Sequence, residues 1–133
     1  MHKYTVSLRI TSSELDVAQV TKELGLTPTQ TRSTADRKSA NAVWEKALWE
    51  FEVHPQNRTD WDSLEEGVAR LLKIFDSHAD AVRGYGEKPE VFIWCGIFSS
   101  SFDGGPHLSA GMLKALGYFG VSLWLDTYSS KNQ

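Results

Sequence analysis

The stretch Val91–Phe98, VFIWCGIF, is apolar on both of its alternating parities. A strand with one wet face alternates apolar and polar residues, and a strand covered on both faces does not. Val91–Phe98 is therefore expected to be an interior strand. Tyr4–Ile10 alternates instead, with Tyr4, Val6, Leu8 and Ile10 on one side and Thr5, Ser7 and Arg9 on the other, as a strand with a single core face does. Asp16 followed by Gln19 has capping-box spacing, and Val17, Val20 and Leu24 form a helical stripe closed by Gly25, so a short helix is predicted over Val17–Leu24. Pro28 disfavours helix at Thr27. The polar segment Thr29–Asn41 is expected to hold an edge strand near Gln30–Ser33 and then a loop.

Ala42–His54 alternates and is predicted to be one strand, with Val43, Ala47, Trp49, Phe51 and Val53 on one parity. After a turn at His54–Asp60, the pair Asp62 and Glu65 repeats the capping-box spacing. Leu64, Val68, Leu71, Leu72, Phe75, Ala79 and Val82 then follow at helical spacing up to Gly84, which predicts one long helix. Ser99–Pro106 reads as a loop, His107–Phe119 as a third helix closed by Gly120, and Val121–Tyr128 as the last strand.

The element order β-α-β-β-α-β-α-β makes this an α+β chain, expected to form one domain over residues 1–133. Its first six elements have the split β-α-β pattern of ferredoxin-like domains, and a helix and strand extend it. The fold expected is a single, mostly antiparallel five-stranded sheet in the order 2-3-1-4-5, with the last strand parallel to its neighbour and all helices on one face. The face away from the helices would carry Trp44, Leu48, Phe92, Trp94, Phe98, Trp124 and Tyr128, with Gly96 leaving a gap among the aromatics. A soluble monomer rarely exposes so large an aromatic patch. The chain's own Thr29–Asn41 segment, a second copy, or a ligand or protein partner could cover it. Trp44, Phe92, Trp94, Phe98, Trp124 and Tyr128 are thus the candidate ligand or partner face.

Composition narrows the classes. The 133 residues carry a net charge of -3, which disfavours nucleic-acid binding, because that needs a basic field. The single Cys95 excludes an internal disulfide. No apolar run approaches the ~20 residues of a membrane span, and no signal-peptide pattern opens the chain, so a cytoplasmic protein is expected.

Candidate chemistry is sparse. Ser99, Ser100, Ser101, Asp103 and His107 crowd into one loop, but no nucleophile elbow is present and one loop is a poor frame for a triad. The same loop leads into a helix N-terminus, where Gly104, Gly105 and His107 could hold an anion, with Arg32 and Arg37 as further candidates for anionic ligands. The histidines His2, His54, His78 and His107 lack metal-ligand spacing, so neither metal nor cofactor is expected. Glu50 and Glu52 share a strand face with Asp126 as a candidate neighbour, and cross-strand pairing with Arg9 is their expected role.

The chain resembles the DUF4279 family, on the strand YTVSLRIT, the helix end LGLTPT, the polar TRSTADRK before WEKALWEFEV, and the C-terminal HLSAGMLKALGYFGVSLWLDTYS. The basic residue that family members often place before a Gly is here Arg37-Lys38 followed by Ser39. The resemblance implies a bacterial cytoplasmic α+β domain and no catalytic residues. Two functions are carried forward. One is a non-enzymatic binding module, regulatory or immunity-like, acting through the aromatic face on a second copy or a protein partner. The other is an enzyme or binding protein for a small anionic ligand, using Arg32, Arg37, Asp103 and His107.

Overall fold

A computed structural model describes residues 2–34, 37–39, 42–43, 45–85, 90–99 and 105–129. In chain order they form β1 (His2–Ser12), α1 (Val17–Leu24), β2 (Gln30–Arg32), β3 (Arg37–Ser39), β4 (Ala42–Val43), β5 (Ala47–Val53) and α2 (Leu64–Ile74). A 3-10 turn (Asp76–His78), α3 (Ala79–Gly84), β6 (Glu90–Ser99), α4 (Ala110–Phe119) and β7 (Ser122–Ser129) follow. No helix among the described residues is long and apolar enough to cross a membrane.

The main sheet has five strands in the order β2-β5-β1-β6-β7. The sheet is mixed, in the expected strand order. Three neighbouring pairs are antiparallel and β6–β7 is parallel. β6 is interior, as its lack of alternation required. The register sets Tyr4, Val6, Leu8 and Ile10 opposite Ile97, Cys95, Ile93 and Val91, and Val6, Leu8 and Ile10 opposite Val53, Phe51 and Trp49. These rows meet Val20 and Leu24 of α1, Val68 and Leu71 of α2, Val82 of α3, and Leu116 and Phe119 of α4 in one buried cluster. Burial pushes the Cys95 thiol up to about 12, so it stays protonated and inert.

Local chemistry shifts several element boundaries. α1 is capped as expected, with Asp16 accepting from the Gln19 N–H and Gly25 left-handed at φ 65°. The cap of α2 is Ser63, which accepts from the Glu66 N–H, not Asp62. Asp62 instead takes hydrogen bonds from Lys3 and Arg58. The predicted long helix ends at Phe75, and the 3-10 turn over Asp76–His78 leads into a separate α3. α4 begins at Ala110 rather than His107, because Ser109 caps it by accepting from the Met112 N–H. Ala42–His54 is not one strand. β4 pairs with β3 in a separate two-stranded sheet, in place of the expected loop, and only β5 joins the main sheet.

Charged side chains clamp α4 at both ends. Arg83 of α3 donates to the carbonyls of Tyr118 and Phe119, where the helix dipole is negative, and it pairs with Asp80. Trp61 prolongs the sheet past β5: its N–H and C=O exchange hydrogen bonds of 2.8 and 2.9 Å with Tyr4, and its indole donates to the Val53 carbonyl.

The Asp62 cluster gives the chain an acid-sensitive contribution to stability. The hydrogen bonds from Lys3 and Arg58 hold the Asp62 carboxyl below its ordinary 3.8, at about 2. A depressed carboxyl stabilises the fold above its ordinary range, and that contribution is lost as pH falls through the folded value. Asp62→Asn is expected to flatten the decline in urea midpoint between 3.8 and about 2. Added salt should weaken the same contribution, because the pair is exposed. An unchanged acid profile in the variant would refute this.

Candidate partner-binding face

The strand register assembles an aromatic layer on the side of the sheet away from the helices. Parallel pairing sets Trp94 beside Trp124 and Phe98 beside Tyr128. The Phe98 and Tyr128 rings stack with centroids 5.0 Å apart, and Phe92 stacks diagonally on Trp124 at 4.0 Å. These offset pairs are worth about 0.5–1.5 kcal/mol each beyond the area they bury, so the layer is a packed element.

A polar thread runs through it. The Ser7 hydroxyl and Arg9 Nε both donate to Glu50 Oε2, at 2.9 and 2.6 Å. The Arg9 guanidinium carbon lies 4.1 Å from the centroid of the Trp94 ring, a cation–π contact. Trp94 Nε1 then donates to Asp126 Oδ2 at 2.6 Å. Four strands, β5, β1, β6 and β7, are tied together by these side chains alone.

Exposure is graded across the layer. Ser7, Leu48, Glu50 and Phe92 are buried, Trp94 and Phe98 are half-buried, and Trp124 and Tyr128 on β7 are 44% and 45% exposed. The open half of the face is the β7 side. Gly96 leaves no gap, contrary to the expectation. A Cβ there would stand 2.6 Å from Thr5 Oγ1, 2.8 Å from Trp94 Cη2 and 3.1 Å from Phe98 Cε2. The two rings close over the glycine, and only hydrogen at Cα lets them.

The other candidates are dispersed. Trp44, Asp103 and Gly104 lie outside the described residues, and Arg37 is placed only as a β3 position paired with Val43. Gly105 has φ 123° and His107 is an exposed residue ahead of α4. The start of α4 already faces a carboxylate, since Glu65 of α2 accepts from the Ser109 N–H at 2.6 Å and from its hydroxyl at 3.2 Å. Arg32 is level with Leu48, Thr11 and Glu90, whereas the loop leading to His107 leaves β6 at Ser99. These ends of the sheet are about 30 Å apart at strand rise, and Glu65, just past the Trp61–Tyr4 bridge opposite Ile97, holds Ser109 at the Ser99 end, so Arg32 and the start of α4 do not share a site. A 600 Å³ cleft at the Glu90 end is lined by Glu14, Asp16, Glu23 and Glu90, with Lys46 as its one cation among the described residues. It is unsuited to an anion.

The carboxylates are also apart. Glu50 binds Arg9, Glu52 lies 3.6 Å from His54 Nδ1, and Asp126 holds Trp94. Burial raises the Glu52 carboxyl above its ordinary value, with His54 opposing the shift and Glu50 adding to it. Glu50 and Asp126 stand three strand spacings apart across the sheet, about 14 Å, and four residues, about 13 Å, apart along it. Among the described residues no group of histidine, cysteine and carboxylate side chains could hold a metal ion. Sequence reasoning missed the role of Asp126, which pairs with Gly96 on β6, one row from Trp94, and itself accepts from the Trp94 indole.

The fold and its site thus define a small α+β protein built on one mixed sheet, with helices on one face and an aromatic layer on the other. The chain belongs to the family described as a domain of unknown function, DUF4279, whose model matches residues 2–130. No curated protein and no solved structure matches it.

Proposed function

We propose that the chain is a non-enzymatic binding module whose contact surface is the aromatic face of β6 and β7, of the kind a regulatory or immunity-like protein presents to a protein partner or a second copy. The observation that carries this reading is the layer itself. Trp124 and Tyr128 are half exposed, yet each is stacked on a β6 ring and held in place. Pre-ordered aromatics lose little entropy on binding and are enriched among interface hot spots. We read the first six elements as a ferredoxin-like core to which α4 and β7 are added, and that addition is what supplies the outer half of the face. The anionic-ligand alternative finds less support, because the start of α4 faces Glu65 and Arg32 stands at the far end of the sheet.

Trp124→Ala and Trp94→Ala are each expected to weaken self-association or capture of a protein partner by about 10- to 100-fold, the range of a hot-spot aromatic. Leu113→Ala on α4, 56% exposed in the wild type, should leave both unchanged. Sedimentation and affinity capture with purified protein read the result. Wild-type behaviour in both tryptophan variants would sink the reading. So would a phosphate-dependent rise in melting temperature that His107→Ala abolishes.

A further inference from the structure

Exposure at β7 is a property of its edge as well as of one face. Trp124 and Tyr128 are open on the aromatic side, and Leu125, on the core parity opposite Cys95, is 49% exposed on the helix side. Beyond β7 the sheet has no further strand among the described residues. The other outer strand, β2, is three residues long, polar, and follows Pro28, the usual protection against pairing. β7 runs eight residues, SLWLDTYS, with no proline, no lysine and one acid. An edge this long and apolar is a template for another strand.

We propose that the free edge of β7 pairs antiparallel with the same edge of a second copy, joining two five-stranded sheets into one about a two-fold axis at Leu125. A strand added beside β7 must be apolar on both faces to cover Leu125 and Trp124 together, and β7 is itself such a strand. Packing sheet against sheet would cover Trp124 and Tyr128 but leave Leu125 in water. A two-fold axis perpendicular to the sheet keeps both helix layers on one side, and it pairs only residues that share a face. Centred on Leu125, it sets Leu123 opposite Thr127 and Trp124 opposite Asp126 of the second copy.

That register also satisfies a donor. Trp49, Trp61 and Trp94 donate their indole N–H to Thr21, Val53 and Asp126, while the Trp124 indole has no acceptor within the described chain. Asp126 binds Trp94 through Oδ2, which leaves Oδ1 for Trp124 of the second copy, a charge-assisted bond. Centring on Asp126 instead would set two carboxylates against each other, a destabilising cross-strand pair. The inference deepens the aromatic-face reading by naming the occupant, and it rests on that reading for Trp124 and Tyr128 but not for Leu125.

Because residue 125 faces itself, charge can be used as a key. Leu125→Lys alone and Leu125→Glu alone are each expected to sediment as monomers, and a one-to-one mixture to recover the dimer. Leu125→Cys, a milder change, should form a disulfide-linked dimer under copper phenanthroline and air, since facing Cβ atoms lie about 5 Å apart. Cys95 is buried and does not compete. Trp124→Cys should not cross-link, because it faces Asp126. A wild-type monomer, a dimer indifferent to Leu125→Lys, or failure of the mixture to re-dimerise each overturns the proposal. So does a wild-type monomer that pairs through this edge only with a different protein. Trp94→Ala separates the two readings: loss of self-association there with none in Leu125→Lys keeps the face and rejects the edge, and the reverse rejects the face and keeps the edge.

Discussion

Trp49→Ala is expected to cost about 3–5 kcal/mol, the range for removing a large buried aromatic. Trp49 is fully buried. Its ring stacks near Phe51 at 6.4 Å, meets Phe75 edge-on at 6.5 Å, and donates to Thr21 Oγ1 of α1 at 3.0 Å. Alanine would leave a cavity between β5, α1 and the end of α2 and strip Thr21 of a donor. Since domains of this kind hold about 5–15 kcal/mol in total, the variant should melt roughly 10–20 °C lower. Trp49→Phe isolates the polar part. It keeps most of the ring and loses the N–H, so about 1 kcal/mol is expected from the hydrogen bond. Trp124→Ala, half exposed, should cost far less stability than Trp49→Ala while affecting association. Urea unfolding with an unchanged slope would check each value. A loss under 1 kcal/mol for Trp49→Ala would mean that α1 can collapse onto the vacated space.

Much of this arrangement is legible in the residues. Period-two alternation put Tyr4, Val6, Leu8 and Ile10 on the core face, and the absence of alternation put Val91–Phe98 inside the sheet. Both follow from solvent covering one or neither side of a strand, a local property that sequence records directly. The break at Phe75 was hidden because Phe75, Ala79 and Val82 keep helical spacing through a 3-10 turn. Asp76-Ser77-His78, three weak helix formers in a row, was the signal that could have shown it. Ser109 outcompeted His107 for the helix start through a capping bond that any hydroxyl three residues before a helix N–H can make. The aromatic parity and the edge position of the last strand were readable, but the grading from buried Phe92 to open Trp124 was not, because it depends on how the rings stack across the register. The bonding of Asp126 to Trp94 was equally out of reach, since it needs the parallel register of β6 and β7.

The second large effect is expected at Arg9. Arg9→Ala would leave the Glu50 carboxylate, 5% exposed, with the Ser7 hydroxyl as its remaining donor. Breaking a buried pair by removing one partner costs about 3–5 kcal/mol. The Arg9 side chain is itself 28% exposed, so water can reach part of the vacated space, and about 2–3 kcal/mol is the expected loss. Arg9→Lys should rescue only in part. An ammonium keeps the charge, but it has no planar guanidinium to lie over Trp94 and no Nε held toward Glu50. In a Glu50→Gln background the cost of Arg9→Ala should fall by at least about 1 kcal/mol, because no charge is then stranded. Additive costs in that cycle would refute the pairing. Arg9 also bears on binding, since its guanidinium and Asp126 together fix the Trp94 ring. An Arg9→Ala protein that remains folded should lose near-ultraviolet ellipticity and self-association together. Loss of stability with association intact would show instead that the exposed aromatics of β7 hold their places without the thread that reaches them from β5.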